Sequence, residues 1–347
     1  MNAEVRAAGR SQMEKAPYKA AGFDLFERSD AWFQTDSAAI VGYPLLSFQT
    51  PSGGWSKRTD MSRPRSAGMS YYAETAEWHY TPTLDNGATT GQVRFLGRVV
   101  RYNSDPRFAE AFHRGLEYLL AAQMPNGCWP QSFPLEGGYH DAITMNDDAM
   151  VLVLTTLDEV ASGMLNVATP AERQRAVTSA KRGVQCLVET QVVVDGTRTV
   201  WGQQHDPISF EVVPARSYEL AGLAGRESAG VMLYLMSLPN PNDGVVNAVH
   251  AAAAWFRSHA IKGYRYDGAH GLRPDPTGEP IWARLTEIGT NRPIFSNRDG
   301  IKLYDWDKLT DRRTGYAWFG TEPAAALTKY ETWKQSHPAM KTRGTNE

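Results

Sequence analysis

No stretch of this chain approaches the roughly 18 consecutive apolar residues that a bilayer-crossing helix needs. A surplus of either charge is missing too, with 36 Lys and Arg against 38 Asp and Glu and a net charge of −2. That excludes a global cationic field, so neither nucleic acid nor an anionic membrane is expected as a partner. A polyanionic ligand would have to meet positive charge gathered locally. Cysteine is scarce: Cys128 and Cys186 have no metal-ligand spacing and allow at most one disulfide. The N-terminal stretch to Tyr18 is polar and charged, without the apolar segment of a signal peptide, so it reads as an intracellular protein or a chain lacking its leader. No Ser-His-Asp order, zinc helix motif or phosphate-binding glycine loop occurs in a convincing context. What remains for chemistry is carboxylate clusters, arginines and three histidines, His79, His140 and His205.

Aromatic residues, by contrast, are plentiful: 10 Trp, 15 Tyr and 12 Phe. They suit a large helical core, and they equally suit a cleft that stacks sugar rings. The chain also repeats itself. Gln49-Thr50-Pro51-Ser52-Gly53-Gly54-Trp55 and Gln123-Met124-Pro125-Asn126-Gly127-Cys128-Trp129 share the pattern Q-x-P-x-G-x-W, with the tryptophans 74 residues apart. A looser copy, Gln191, Asp195-Gly196 and Trp201, follows 72 residues on. Apolar residues at three- and four-residue steps precede each Gln, in Phe112 to Gln123 and in Ala180 to Gln191. Each Gln then closes a helix, and Pro or Gly makes the turn. A period near 70 residues fits a helix pair with its connections. Such pairs point to a mainly α chain, able to close into an α/α toroid around a central cleft or to stay open.

A second element recurs between the tryptophans. Leu84-Asp85-Asn86-Gly87, Met145-Asn146-Asp147-Asp148 and Gly225-Arg226-Glu227 each open an apolar helix. Acidic residues and Asn at such positions ordinarily cap free N–H groups. Alternatively, clusters at equivalent points of successive repeats converge on one oxygen-rich site. From about Tyr264 the texture changes to Gly, Pro, Asn and Asp. Arg265, Arg273, Arg284, Arg292, Arg298, Arg312 and Arg313 there interleave with aromatics. Guanidinium groups pair bidentately with carboxylates, so this region suits carboxylated sugars as well as a solvated surface. The chain is expected to form one catalytic domain, with 1–40 as an N-terminal extension, 41–263 as the helical repeats and 264–320 as loops completing the cleft. Residue types alone leave two chemistries open. One is hydrolysis by a pair of carboxyls. The other is elimination with carboxylates holding Ca²⁺, which takes 6–8 oxygen ligands.

Several long motifs resemble those of polysaccharide lyase family 10, the pectate lyases. They are GGWSK at Gly53–Lys57, TLDNGAT at Thr83–Thr89, WPQSFPLEGGYHDAITMNDDAM at Trp129–Met150, WGQQHDP at Trp201–Pro207, ARSYEL at Ala215–Leu220, and the run from Ile281 to Gly320. The resemblance implies an α/α toroid with a long groove, and calcium-assisted β-elimination of polygalacturonate by a monomer. It implies calcium on Asp85, Asn86 and Asp147, Arg216 as the base that removes the C5 proton, and Arg284 and Arg298 gripping substrate carboxylates. Trp129 and Lys57 would add substrate contacts. Secretion is implied by where pectin lies. The alternatives are an α/α-toroid glycoside hydrolase acting on an acidic polysaccharide, or a non-catalytic uronan-binding protein. For Arg216 the alternative is a structural salt bridge to Glu219. An arginine base, with its ordinary pKa above 12, needs neighbouring cations to favour its neutral form, and activity should rise on the alkaline side.

Overall fold

Helices dominate the computed structural model, which describes residues 2–21, 23–73 and 82–339. His79 lies outside the described residues. The helices are α1 Asn2–Ala7, α2 Asp30–Phe33, α3 Asp36–Phe48, α4 Thr90–Val99, α5 Pro106–Ala121, α6 Ala149–Ala161, α7 Pro170–Glu189, α8 Gly225–Ser237, α9 Asp243–Ser258 and α10 Glu322–Ser336. Strands are only two to four residues long and pair in twos. The mainly α class is therefore what the chain adopts.

Two compact units divide the chain: Met1–Asp141 with Asp147–Gly183, and Ala142–Asn146 with Val184–Glu347. In the first, α4 packs on α3, α5 and α6. The faces that the three- and four-residue spacing marks as apolar are buried, with Val93, Phe95 and Leu96 of α4 and Phe108, Phe112, Leu116 and Leu119 of α5 fully enclosed. In the second, α8, α9 and α10 pack on one another. The stretch after Tyr264 is loops and short strands, and it has its own core of Tyr218, Ile281, Leu285, Ile294, Phe295, Trp318 and Phe319. No sequence expectation covered α10, whose 15 residues bury only Pro323, Ala326 and Tyr330.

The repeat has a physical purpose at each of its letters. Gln49 follows α3 and donates through Nε2 to Gly53 O and to Ala111 O of α5, at 2.7 and 2.8 Å. Gln123 does the same to Gly127 O and Ser179 O of α7, and Gln191 to Thr199 O and Ala248 O of α9. One amide thus closes its own loop and ties it to a later helix. Gly53 and Gly127 have positive φ, and a Cβ there would lie 2.4 Å from Arg114 O and 2.7 Å from Arg182 O. Each tryptophan is buried and donates its indole N–H to the helix before it: Trp55 to Leu45 O, Trp129 to Leu119 O and Trp201 to Leu187 O. Gly115 and Gly183 make room for the first two rings. Trp282, donating to Phe256 O of α9, is a fourth member that the sequence pattern does not show.

This corrects one expectation. Trp129 is completely buried, and its one polar atom is used within the protein. It holds the repeat together and offers no face to a sugar ring.

Candidate active site

Position two after each repeat tryptophan carries Lys57, Gln131, Gln203 or Arg284, and in three repeats that side chain meets an acidic helix start. In the first unit, Lys57 Nζ pairs with Asp85 Oδ2, both side chains being less than a tenth exposed. Asp85–Gly87 forms a single 3₁₀ turn ahead of α4, with Asn86 at φ 54°. Asn146–Asp148 forms the matching turn ahead of α6, with Asp147 at φ 50° and Asp148 at φ 60°. Left-handed backbone at a non-glycine residue costs on the order of 1–3 kcal/mol and concentrates at functional sites. Neither turn supplies a cap: Thr89 and Asp148 occupy the N-cap positions, and neither makes a side-chain cap hydrogen bond. Asp85 and Asp147 therefore do not stand at the N-cap positions of α4 and α6. The first turn packs against α6, so Asp85 and Asn86 lie beside the helix that Asp147 precedes.

The second unit carries the arginines. Arg284 is 8 % exposed and donates through Nη2 to Glu227 Oε1 at 2.6 Å and to Asn146 Oδ1 at 3.1 Å, with its guanidinium over the Tyr316 ring. Gln203 Nε2 reaches the same two oxygens and the Tyr316 hydroxyl at 3.1–3.2 Å. Burial holds the Tyr316 phenol far above its usual range, against the opposing charge of Arg284, so it stays protonated. Arg284 is thus committed to a buried network.

Arg216, Arg298 and Arg312 instead gather around the ring of Tyr218, at 5.0, 5.8 and 4.2 Å from its centroid. Glu219, itself almost fully buried, takes Arg216 bidentately, with Nε to Oε2 at 2.7 Å and Nη2 to Oε1 at 2.5 Å. Burial disfavours the Arg216 charge, but these hydrogen bonds and the Glu219 charge outweigh it and hold the pKa above the ordinary arginine value. The salt bridge named as the alternative for Arg216 is present. Its Nη1 makes no hydrogen bond among the described residues, and the side chain is 38 % exposed. Arg298 is exposed, and its side chain has no carboxylate partner among the described residues.

His205 is fully buried, donating from Nδ1 to Phe210 O and accepting from Gly202 N–H at Nε2, and burial pushes its pKa down to about 4. It is a neutral structural residue. His140 is 9 % exposed, with its ring tilted at 30° against that of Tyr139. Sequence reasoning marked Glu227 only as an acidic helix start and gave Gln203 and Tyr218 no role. The repeat itself would have found the first two, since Glu227 opens the third helix and Gln203 stands where Lys57 does.

Among the described residues, no three or more His, Cys, Asp or Glu side chains cluster as a metal site. The expected ligands Asp85, Asn86 and Asp147 comprise only two carboxylates and an amide. Their chemistry is nonetheless that of a hard-cation site, and Asp85 Oδ1 is buried with no hydrogen-bond partner among the described residues. Oxygen donors of this kind fit calcium when substrate and water complete the shell.

Residues 49–327 match the family described as pectic acid lyase. The chain belongs to that family. It is similar to a family 10 polysaccharide lyase from Cellvibrio cellulosa, with 32% identity over 90% of this chain and 95% of that one and a TM-score of 0.77. A variant of that lyase with one aspartate replaced by alanine, in complex with trigalacturonic acid, matches with 32% identity and a TM-score of 0.77, covering 89% of this chain and 96% of that one. A search of the curated proteins finds no match. This chain is therefore a pectate lyase of family 10, a polysaccharide-degrading enzyme with the α/α-toroid fold class of that family. No helix among the described residues is long and apolar enough to cross a membrane.

Proposed function

We propose that this lyase cleaves α-1,4-linked polygalacturonate by calcium-assisted β-elimination, with Arg216 as the base, releasing 4,5-unsaturated oligogalacturonates. The observation that carries the reading is the cluster of Arg216, Arg298 and Arg312 on the Tyr218 ring. Three guanidiniums around one aromatic ring suit a carboxylated sugar chain, and the similar lyase variant binds trigalacturonic acid. Arg298 grips a substrate carboxylate. Arg216 is held by Glu219 through Nε and Nη2, which leaves Nη1 to take the C5 proton. The electron pair of the C5–H bond forms the C4–C5 double bond, the C4–O bond breaks, and the leaving oxygen takes a proton from water. Neutral guanidine keeps its donors to Glu219 after losing the Nη1 proton, so the clamp persists through the step. Arg298 and Arg312 favour that neutral form by like-charge repulsion.

Asp85, Asn86 and Asp147 would hold calcium, with Lys57 fixing the Asp85 carboxylate. A calcium ion held by these residues would supply charge neutralisation of the uronate, which acidifies C5–H. Arg284, tied to Glu227 and Asn146, acts on substrate through its buried network. Secretion accords with the disulfide-bonded state of both Cys128 and Cys186, since such bonds persist in oxidising compartments. The test is the ultraviolet absorbance of the unsaturated product from polygalacturonate with calcium and with chelator. Hydrolysis would give reducing ends without the chromophore.

A further inference from the structure

A cleft of about 420 Å³ in the second unit shares no lining residue with the site described above. The buried Phe295 and Phe319 and the partly buried Leu272 and Trp306 form its apolar wall. Arg273 and Arg292, both exposed, line it against a single carboxylate, Asp307. His270, also in the lining, lies 3.1 Å from Asp267. Arg292 sits over the Tyr304 ring, 3.8 Å from its centroid, and the Tyr304 hydroxyl donates to Glu287 at 2.6 Å. Lys302 pairs with Glu287 at 2.7 Å, so that carboxylate does not cancel Arg292.

Strands Tyr264–Asp267 and Gly271–Pro274 form the hairpin that carries Arg273. Gly271, at φ 74°, lets it lie directly on Trp306, since a Cβ there would come within 2.7 Å of the indole. Two residues on, Arg273 stands directly opposite Arg265. Residues paired in this way share one face, and like charges so placed destabilise the hairpin. Neither side chain has a carboxylate partner among the described residues. A repelling pair is thus kept at the edge of a cleft that already holds a third arginine. Bound carboxylates would relieve it.

Apolar surface flanked by guanidiniums suits a uronate ring, with its C–H face on the wall and its carboxylate on an arginine. We propose that this cleft is a second binding site for the polygalacturonate chain, away from the point of cleavage. Arg273 and Arg292 take free carboxylates, and Arg265 adds charge at the edge. The proposal rests on the lyase reading above, which supplies the polymer. A run of ring contacts, Phe295 to Trp318 to Tyr316 to Tyr218 at 5.6, 4.7 and 5.4 Å, leads from the cleft to the Arg216 cluster. The site holds long chains on the enzyme between cuts and does nothing for short ones.

The test compares wild type with the double variant Arg265→Gln/Arg273→Gln, in which an exposed, repelling pair is removed. Polymer binding is read as retardation in native gels containing polygalacturonate and chelator, and kinetics with calcium on polygalacturonate and on tetragalacturonate. The variant should bind polymer about fivefold more weakly, the scale of two exposed ion pairs. Its KM on polygalacturonate should rise by a similar factor at unchanged kcat. Its kcat/KM on tetragalacturonate and its urea midpoint should not fall. Wild-type retardation in the variant, equal losses on polymer and tetramer, a lowered urea midpoint, or a wild type that polygalacturonate does not retard would each overturn the second site while leaving the lyase standing. A wild type that forms no unsaturated product from either substrate would overturn the lyase reading and the second site with it.

Discussion

Replacing Glu219 by Gln separates the two roles that Arg216 has been given. Glu219 accepts from both Nε and Nη2 of Arg216, and its charge holds the guanidinium protonated. Glutamine keeps the shape and one acceptor but removes the charge. A hydrogen bond to a charged group is worth about 1.5–3 kcal/mol against about 0.5–1.5 for a neutral one. The bond that remains would weaken by about 1–1.5 kcal/mol and the other is lost, while exposure of the Arg216 side chain at 38 % calls for a reduction through solvent screening. About one pKa unit downward is the result, at 1.36 kcal/mol per unit. The sign follows directly: a base whose pKa falls has a larger neutral fraction at every pH below it, about tenfold per unit. The rising alkaline limb of kcat/KM on polygalacturonate should therefore move about one unit toward neutral pH. The direction of the change is the readout: at a given pH on the limb a lowered pKa raises kcat/KM, whereas a loosened clamp lowers it. Arg216→Ala should remove the activity. A limb that stays in place in Glu219→Gln, or a largely active Arg216→Ala, would refute Arg216 as base and leave the pair as a structural salt bridge.

Two further outcomes check the framework. Trp129→Phe removes the indole donor to Leu119 O and should cost about 1–3 kcal/mol in urea unfolding while leaving KM for polygalacturonate unchanged; wild-type stability with a raised KM would restore Trp129 to the substrate. His205 is buried neutral, with a folded pKa of about 4 against 6.5. The unfolded chain binds the extra proton between those values, so the stability contribution is complete above about pH 6.5 and falls away toward pH 4, by about 3 kcal/mol. His205→Gln should flatten that slope in unfolding experiments, and an unchanged slope would contradict it.

Much of the helical framework was legible because its constraints are local. Gln, Gly and Trp recur in the sequence because each repeat needs the same carbonyl clamp, the same positive-φ approach and the same indole bond. Trp282 escaped notice because its copy keeps the indole bond to the preceding helix but not the Gln-Pro-Gly approach. α10 escaped because its apolar residues form no continuous stripe. The acidic helix starts were visible, but only the backbone shows that Thr89 and Asp148, not Asp85 or Asp147, stand at the N-caps. The roles of the arginines were the least legible. Arg284 and Arg298 look alike in sequence, yet one is buried against Glu227 and the other is exposed beside Tyr218. Only tertiary packing distinguishes a positioned cation from one available to substrate.

The most direct test of the calcium-assisted elimination is ultraviolet absorbance during incubation with polygalacturonate, first after chelation and then on restoring calcium. The expected result is no absorbance rise with chelator and full recovery of the unsaturated product when Ca²⁺ returns. Reducing ends without absorbance, or unsaturated product formed equally well under chelation, would contradict it.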